Sequence, residues 1–166
     1  MDPLIDEKII LTVSRCFVEY FDETLQITAW REAYGPSLNE GMCFESLIML
    51  PFQGELNGAF YFGMDGYTRM KLLPVIANTF KLETIEKGMA DSVLGEFANQ
   101  IGFRILNEFD DAGYRLQVLP PEALNHKMVA IDLEKQRQYI VIFFIEDKES
   151  RKYLGRCHII LILNKF

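Results

Sequence analysis

The feature that most limits how this chain can fold is one long amphipathic stretch, residues 87–110, lying between two groups of strand-like segments. Within it Val93, Phe97, Ile101 and Ile105 recur at the spacing of a single helix face, with Leu94 and Ala98 beside them. Asp111-Ala112-Gly113 then provides a stop, because glycine accepts the left-handed conformation that commonly closes a helix. Before this helix, residues 26–30, 44–52 and 56–62 read as strands, and the last two are joined so closely that they must be antiparallel. After it, residues 114–119, 128–133, 139–145 and 157–163 read as four more.

Two further helices complete the pattern. Ile5, Ile9, Val13, Phe17, Tyr20 and Phe21 give an amphipathic helix over residues 3–22, with Asp2 as its cap and Pro3 in its first turn. Asp65 caps a second over residues 65–80, in which Pro74 should kink or delay the helix. The order is helix, strands, two helices, strands, with hairpin-length gaps and no alternating strand–helix units. That predicts an α+β fold: one domain over residues 1–166, with an antiparallel β-sheet of about six to seven strands. The N-terminal helix and the two central helices pack on that sheet.

Composition narrows the function. A formal charge of −7 and the lack of a Lys/Arg stripe disfavour nucleic acid and anionic membrane surfaces as partners. The acidic N-terminus does not resemble a signal peptide, and no apolar run approaches the roughly 20 residues of a membrane span, so a cytoplasmic location is expected. Cys16, Cys43 and Cys157 are too few and too scattered for a disulfide framework or a zinc site. Cys16 and Cys157 lie in apolar patterns and read as buried thiols in a reducing compartment.

The usual catalytic kits are absent. His126 reads as a loop residue and His158 as a strand-face residue, and no glycine-rich phosphate loop occurs. What remains is a polar stripe on the long helix: Ser92, Glu96, Asn99 and Phe103 fall within ~60° of one another. Phe97 and Ile101 point ~100–200° away, so the stripe faces outward. Glu-x-x-Asn alone is weak, since the chain carries it twice, at Glu96–Asn99 and at Glu122–Asn125 in an apparent loop.

Its setting is more specific. Ser-x3-Glu-x2-Asn on a long helix, then Gly113-Tyr114, a strand and Pro120-Pro121, resembles the CheC/CheX/FliY phosphatases of bacterial chemotaxis. The preceding GELNGAFYFGM (54–64) and the order of elements over nearly the whole chain resemble the same family. With one motif-bearing helix, the chain resembles CheX more than CheC. The proline lies one or two residues closer than is usual there, and Phe103 and Arg104 stand where small and polar residues are more common.

The resemblance implies dephosphorylation of a phosphorylated CheY-like response regulator. Asn99 would orient the attacking water, and Glu96 would dock to the regulator's active-site lysine. Ser92 and Phe103 would touch the partner, with the choice between Ser92 and Asp91 left open. The regulator would supply Mg²⁺, and this chain would bind no cofactor. A homodimer paired through the sheet is also implied, with YIVIFFIE (139–146) and CHIILILN (157–164) as candidate surfaces. Two alternatives stand beside this: a non-catalytic CheX-like dimeric adaptor in chemotaxis or two-component signalling, and a small-molecule hydrolase, which would need a deep pocket.

Overall fold

The computed structural model describes residues 3–36, 43–82, 86, 88–129, 131–132 and 134–165. Its helices are α1 (Pro3–Tyr20), α2 (Gly66–Thr79) and α3 (Ala90–Asp111). Its strands are β1 (Ile27–Pro36), β2 (Ser46–Gly54), β3 (Gly58–Met64), β4 (Leu116–Val118), β5 (Glu122–Ala123), β6 (Gln136–Asp147) and β7 (Tyr153–Asn164). The expected cap at Asp2 and the first residue of the long helix, Lys87, lie outside the described residues.

The fold is α+β. One sheet runs β1-β6-β7-β3-β2-β4, with β5 also on β2, and all its ladders are antiparallel. Alternation along each strand assigns two faces. Phe60 and Phe62 of β3, Val141, Phe143 and Ile145 of β6, and Ile159 and Leu161 of β7 join Phe17, Tyr20, Val93, Phe97 and Ile101 of the helices in one buried core. On the other face a smaller cluster forms around Phe44, Leu47, Val129, Ile140, Ile160 and Ile162.

Local chemistry explains the helix ends. Thr68 N–H donates to Asp65 Oδ1 at 2.8 Å, which caps α2 as its sequence predicts. Pro74 stays inside α2 without ending it. α1 passes into a π-helical turn, Phe21–Leu25, and Gln26 closes it with φ of 57°. Gly113 follows α3 at φ 92°, the left-handed residue expected there.

Two sequence readings need correction. The chain around 128–133 is not a strand: Met128 makes an isolated bridge to Cys43, residues 131–132 are irregular, and Ala130 and Leu133 lie outside the described residues. Its apolar character serves a different end, since Val129 is buried in the outer cluster. Conversely, Glu122–Ala123, expected in a loop, forms a short strand along β2. β4 and β5 are one segment following the outer edge of β2, interrupted at Pro120-Pro121, where no N–H is available for a ladder.

Candidate functional site

α3 lies across the sheet with its apolar stripe inward. Val93, Leu94, Phe97, Ala98, Ile101, Gly102, Ile105 and Phe109 are all buried. Gly102 allows close approach, since a Cβ there would sit 2.5 Å from Leu50 Cδ2. That packing fixes the opposite face outward. Ser92 and Glu96 are exposed, Asn99 is half-buried, and Phe103 is 62% exposed. The four predicted residues therefore form one ridge.

Among the described residues, none hydrogen-bonds to the side chains of Ser92, Glu96 or Asn99, whereas their neighbours on the helix are engaged. Gln100 accepts from the Tyr20 hydroxyl at 2.7 Å. Arg104 reaches Glu23 at 3.0 Å and lies 5.5 Å from the Tyr20 ring centroid. Arg104 thus turns toward α1 and is held clear of the ridge. Burial pushes the Tyr20 phenol up to about 12, with Arg104 lowering it and Glu96 raising it, so Tyr20 remains a donor to Gln100.

Asp91 and Ser92 also separate. Asn125 Nδ2 donates to Asp91 Oδ1 at 2.6 Å, while Asn125 Oδ1 accepts from Leu47 N–H at 3.0 Å. Both are exposed, but Asp91 is occupied in holding the chain beyond β5, while the Ser92 side chain has no hydrogen bond among the described residues. The second Glu-x-x-Asn is accordingly structural: Glu122 is in β5 and Asn125 bridges two elements. Pro121 rests against α3, at the place where a carbon on Gly95 would meet its Cγ at 3.6 Å.

Beside Ser92 and Glu96, Phe80, Leu82, Met89 and Val93 line a shallow apolar hollow of about 270 Å³. Sequence reading missed this hollow and the role of Asn125. The hollow joins the end of α2 to the start of α3, a pairing that periodicity within either helix does not reveal. Gly95, a glycine in a helix interior, was the available hint that another segment passes close by.

Burial pushes the Cys16 thiol up to about 11 and the Cys157 thiol up to about 12, so both are inert, as buried thiols are expected to be. Cys43 is exposed. His126 is exposed in a turn with φ of 61°. Among the described residues no cluster of three His, Cys, Asp or Glu side chains could hold a metal ion, and no helix is long and apolar enough to cross a membrane.

A protein-family model described as Chemotaxis phosphatase CheX matches residues 46–145. None of the curated proteins compared matches the chain. Among solved structures, the chemotaxis protein CheX of Desulfovibrio desulfuricans aligns with a TM-score of 0.77 at 11% identity, covering 94% of this chain and 99% of the other. CheX of Vibrio vulnificus aligns at 0.70 and 13% identity, over 95% and 99% of the two chains. A chain of the CheX–CheY–BeF3–Mg²⁺ complex of Borrelia burgdorferi aligns at 0.62 and 16% identity, over 96% and 97%. At such identities these structures speak for the fold.

Proposed function

The chain belongs to the chemotaxis phosphatase CheX family, and on that premise we propose that it hydrolyses the aspartyl phosphate of a CheY-type response regulator in the cytoplasm. The observation that carries this reading is the ridge itself. Glu96 and Asn99 stand on adjacent turns of a helix packed rigidly from below, with no hydrogen bond of their own among the described residues. Side chains so placed are free to complete a site on another molecule. The Borrelia burgdorferi neighbour, solved with CheY, BeF3 and Mg²⁺, supports a regulator as that other molecule.

The chemistry asks little of this chain. An aspartyl phosphate is already an activated acyl phosphate. Water attacks phosphorus, the bond to the aspartate oxygen breaks, and the water's protons leave on inorganic phosphate, so no base is required here. Phosphoryl transfer depends mainly on positioning and charge stabilisation. The Asn99 carboxamide can accept from the water through its oxygen and donate to a phosphoryl oxygen through its nitrogen. Holding one reactant in line contributes several kcal/mol, within a ceiling of roughly 7–11 kcal/mol for full positioning. Glu96 pairs with the regulator's lysine and sets the docking angle, while Ser92 and Phe103 contact its surface. The regulator brings Mg²⁺, and this chain binds no cofactor.

Decay of phosphorylated regulator, with and without the protein, tests the proposal. Asn99→Ala is expected to lower the accelerated rate by roughly 10²-fold or more, as removal of a single positioned catalytic group does, while still binding. Glu96→Ala is expected to raise the regulator concentration needed for half-maximal rate by roughly 10-fold and to slow turnover. Full activity in Asn99→Ala sinks the mechanism. An adaptor role is the second reading, favoured by the exposed Phe103 ring at the end of the ridge; there the wild-type protein binds regulator without changing its decay. In either case we extend the reading to a homodimer.

A further inference from the structure

The first turns of α3, which carry Ser92 and Glu96, are braced from the side as well as from below. Met89 caps the helix without any side-chain hydrogen bond, and Gly95 adds no side chain. Val93 and Leu94 hold these turns from below. From the side they are held by the Pro121 ring and by the polar bridge Leu47 N–H to Asn125 to Asp91. One carboxamide thus uses its acceptor on the central sheet and its donor on the first turn of the helix. Asn99 lies further along, among Phe97, Ala98, Ile101 and Gly102, all buried, with Leu50 beneath Gly102.

We infer that Asn125 is a positioning residue, which, through Asp91, fixes the first turns of α3 and so the angle at which Glu96 meets the partner. This rests on the phosphatase reading for its functional consequence, but the brace itself can be measured without it.

The test compares wild type, Asn125→Asp and the exchanged pair Asp91→Asn/Asn125→Asp. In the single variant two carboxylates face each other where a hydrogen bond stood. In the exchanged pair the carboxylate at position 125 would accept both from Leu47 N–H and from the carboxamide at position 91, restoring both contacts at the same net charge. Amide hydrogen exchange over residues 91–96 is expected to be about 10-fold faster in Asn125→Asp and near wild type in the exchanged pair. With phosphorylated regulator, half-maximal rate should need about 5–10-fold more regulator in Asn125→Asp, while the maximal rate stays within about 2-fold. The exchanged pair should recover both. A purely structural role would instead lower the maximal rate in step with thermal stability. Unchanged exchange and half-saturation in folded Asn125→Asp overturn the inference, as does an exchanged pair that recovers neither. If Asn125→Asp does not fold, the exchanged pair alone decides, since it must then match wild type. Wild-type protein that leaves regulator decay unchanged overturns the phosphatase reading, and the exchange measurement still decides the brace.

Discussion

His158 is the residue whose chemistry sits least easily in its place. It projects from β7 on the outer face, its ring 4.9 Å from that of Phe44, and its buried Nδ1 has no hydrogen-bond partner among the described residues. Burial holds its pKa below 6.5; Arg156 also lowers it, while Asp65 and Glu32 raise it. The folded protein therefore keeps a neutral imidazole where the unfolded chain takes up a proton. Stability from this group is full above about pH 6.5, the unfolded value, and is lost as pH falls toward the lower folded value. His158→Phe keeps the ring and removes both nitrogens. Its urea midpoint should fall less than that of wild type between about pH 7 and about pH 5; equal slopes would assign the loss to other groups. The sequence showed His158 inside an apolar run, so its strand position was legible there. Arg156 is two residues away on the same strand, but Asp65 and Glu32 come from segments far apart in the chain, and no local pattern could show them. The same contrast separates Glu96 and Asn99, whose helix face follows from spacing alone, from Asn125, whose role depends on where β2 and α3 meet.

Among the elements, α2 shows how a helix end is fixed by a residue of another segment. Thr68 is fully buried, its N–H bonded to Asp65, and its hydroxyl accepts from Arg156 N–H at 3.0 Å. Gly155 makes this approach possible: its φ is 122°, and a Cβ there would lie 2.0 Å from Thr68 Oγ1. Gly155→Ala adds backbone strain of about 1–3 kcal/mol to overpacking of similar size. A loss of roughly 3 kcal/mol in unfolding free energy is expected, read from denaturant titration, with the decay rate per folded molecule retained. A change below about 0.5 kcal/mol would mean that β7 yields freely at this point. The Asp65 cap was visible in sequence because it is local, but the demand on Gly155 was not. The misread strand at 128–133 has a related cause. An apolar run bounded by turn signals describes a paired strand and a covering segment equally well, and here Val129 covers the outer cluster.

At the scale of the whole molecule the sheet has a working face and an outer face that is only partly covered. The helices and the ridge occupy the first. On the second, the segment bearing Val129 packs over Ile140, Ile160 and Ile162, while Trp30 and Tyr34 of β1 stay exposed. There Trp30 lies opposite Phe144 in the β1–β6 register and is 58% exposed, its ring N–H donating to Glu146. The two apolar runs nominated for subunit pairing, 139–146 and 157–164, belong to β6 and β7, which are interior strands with hydrogen-bonded neighbours on both sides. They can present a face to a partner but not an edge; the sheet's edges are β1 on one side and β4 with β5 on the other. If two copies pair, the outer face around the exposed Trp30 is a surface that leaves both ridges free. Trp30→Lys sets a cation beside Glu146, keeps the fold and removes the largest apolar group from that surface. Its expected behaviour is a monomer in sedimentation at concentrations where wild type is a dimer, with decay activity per chain within about 2-fold, because α3 lies across the sheet from the substitution. Wild type that sediments as a monomer at about 100 μM removes the homodimer, and a dimeric Trp30→Lys moves the interface to an edge strand.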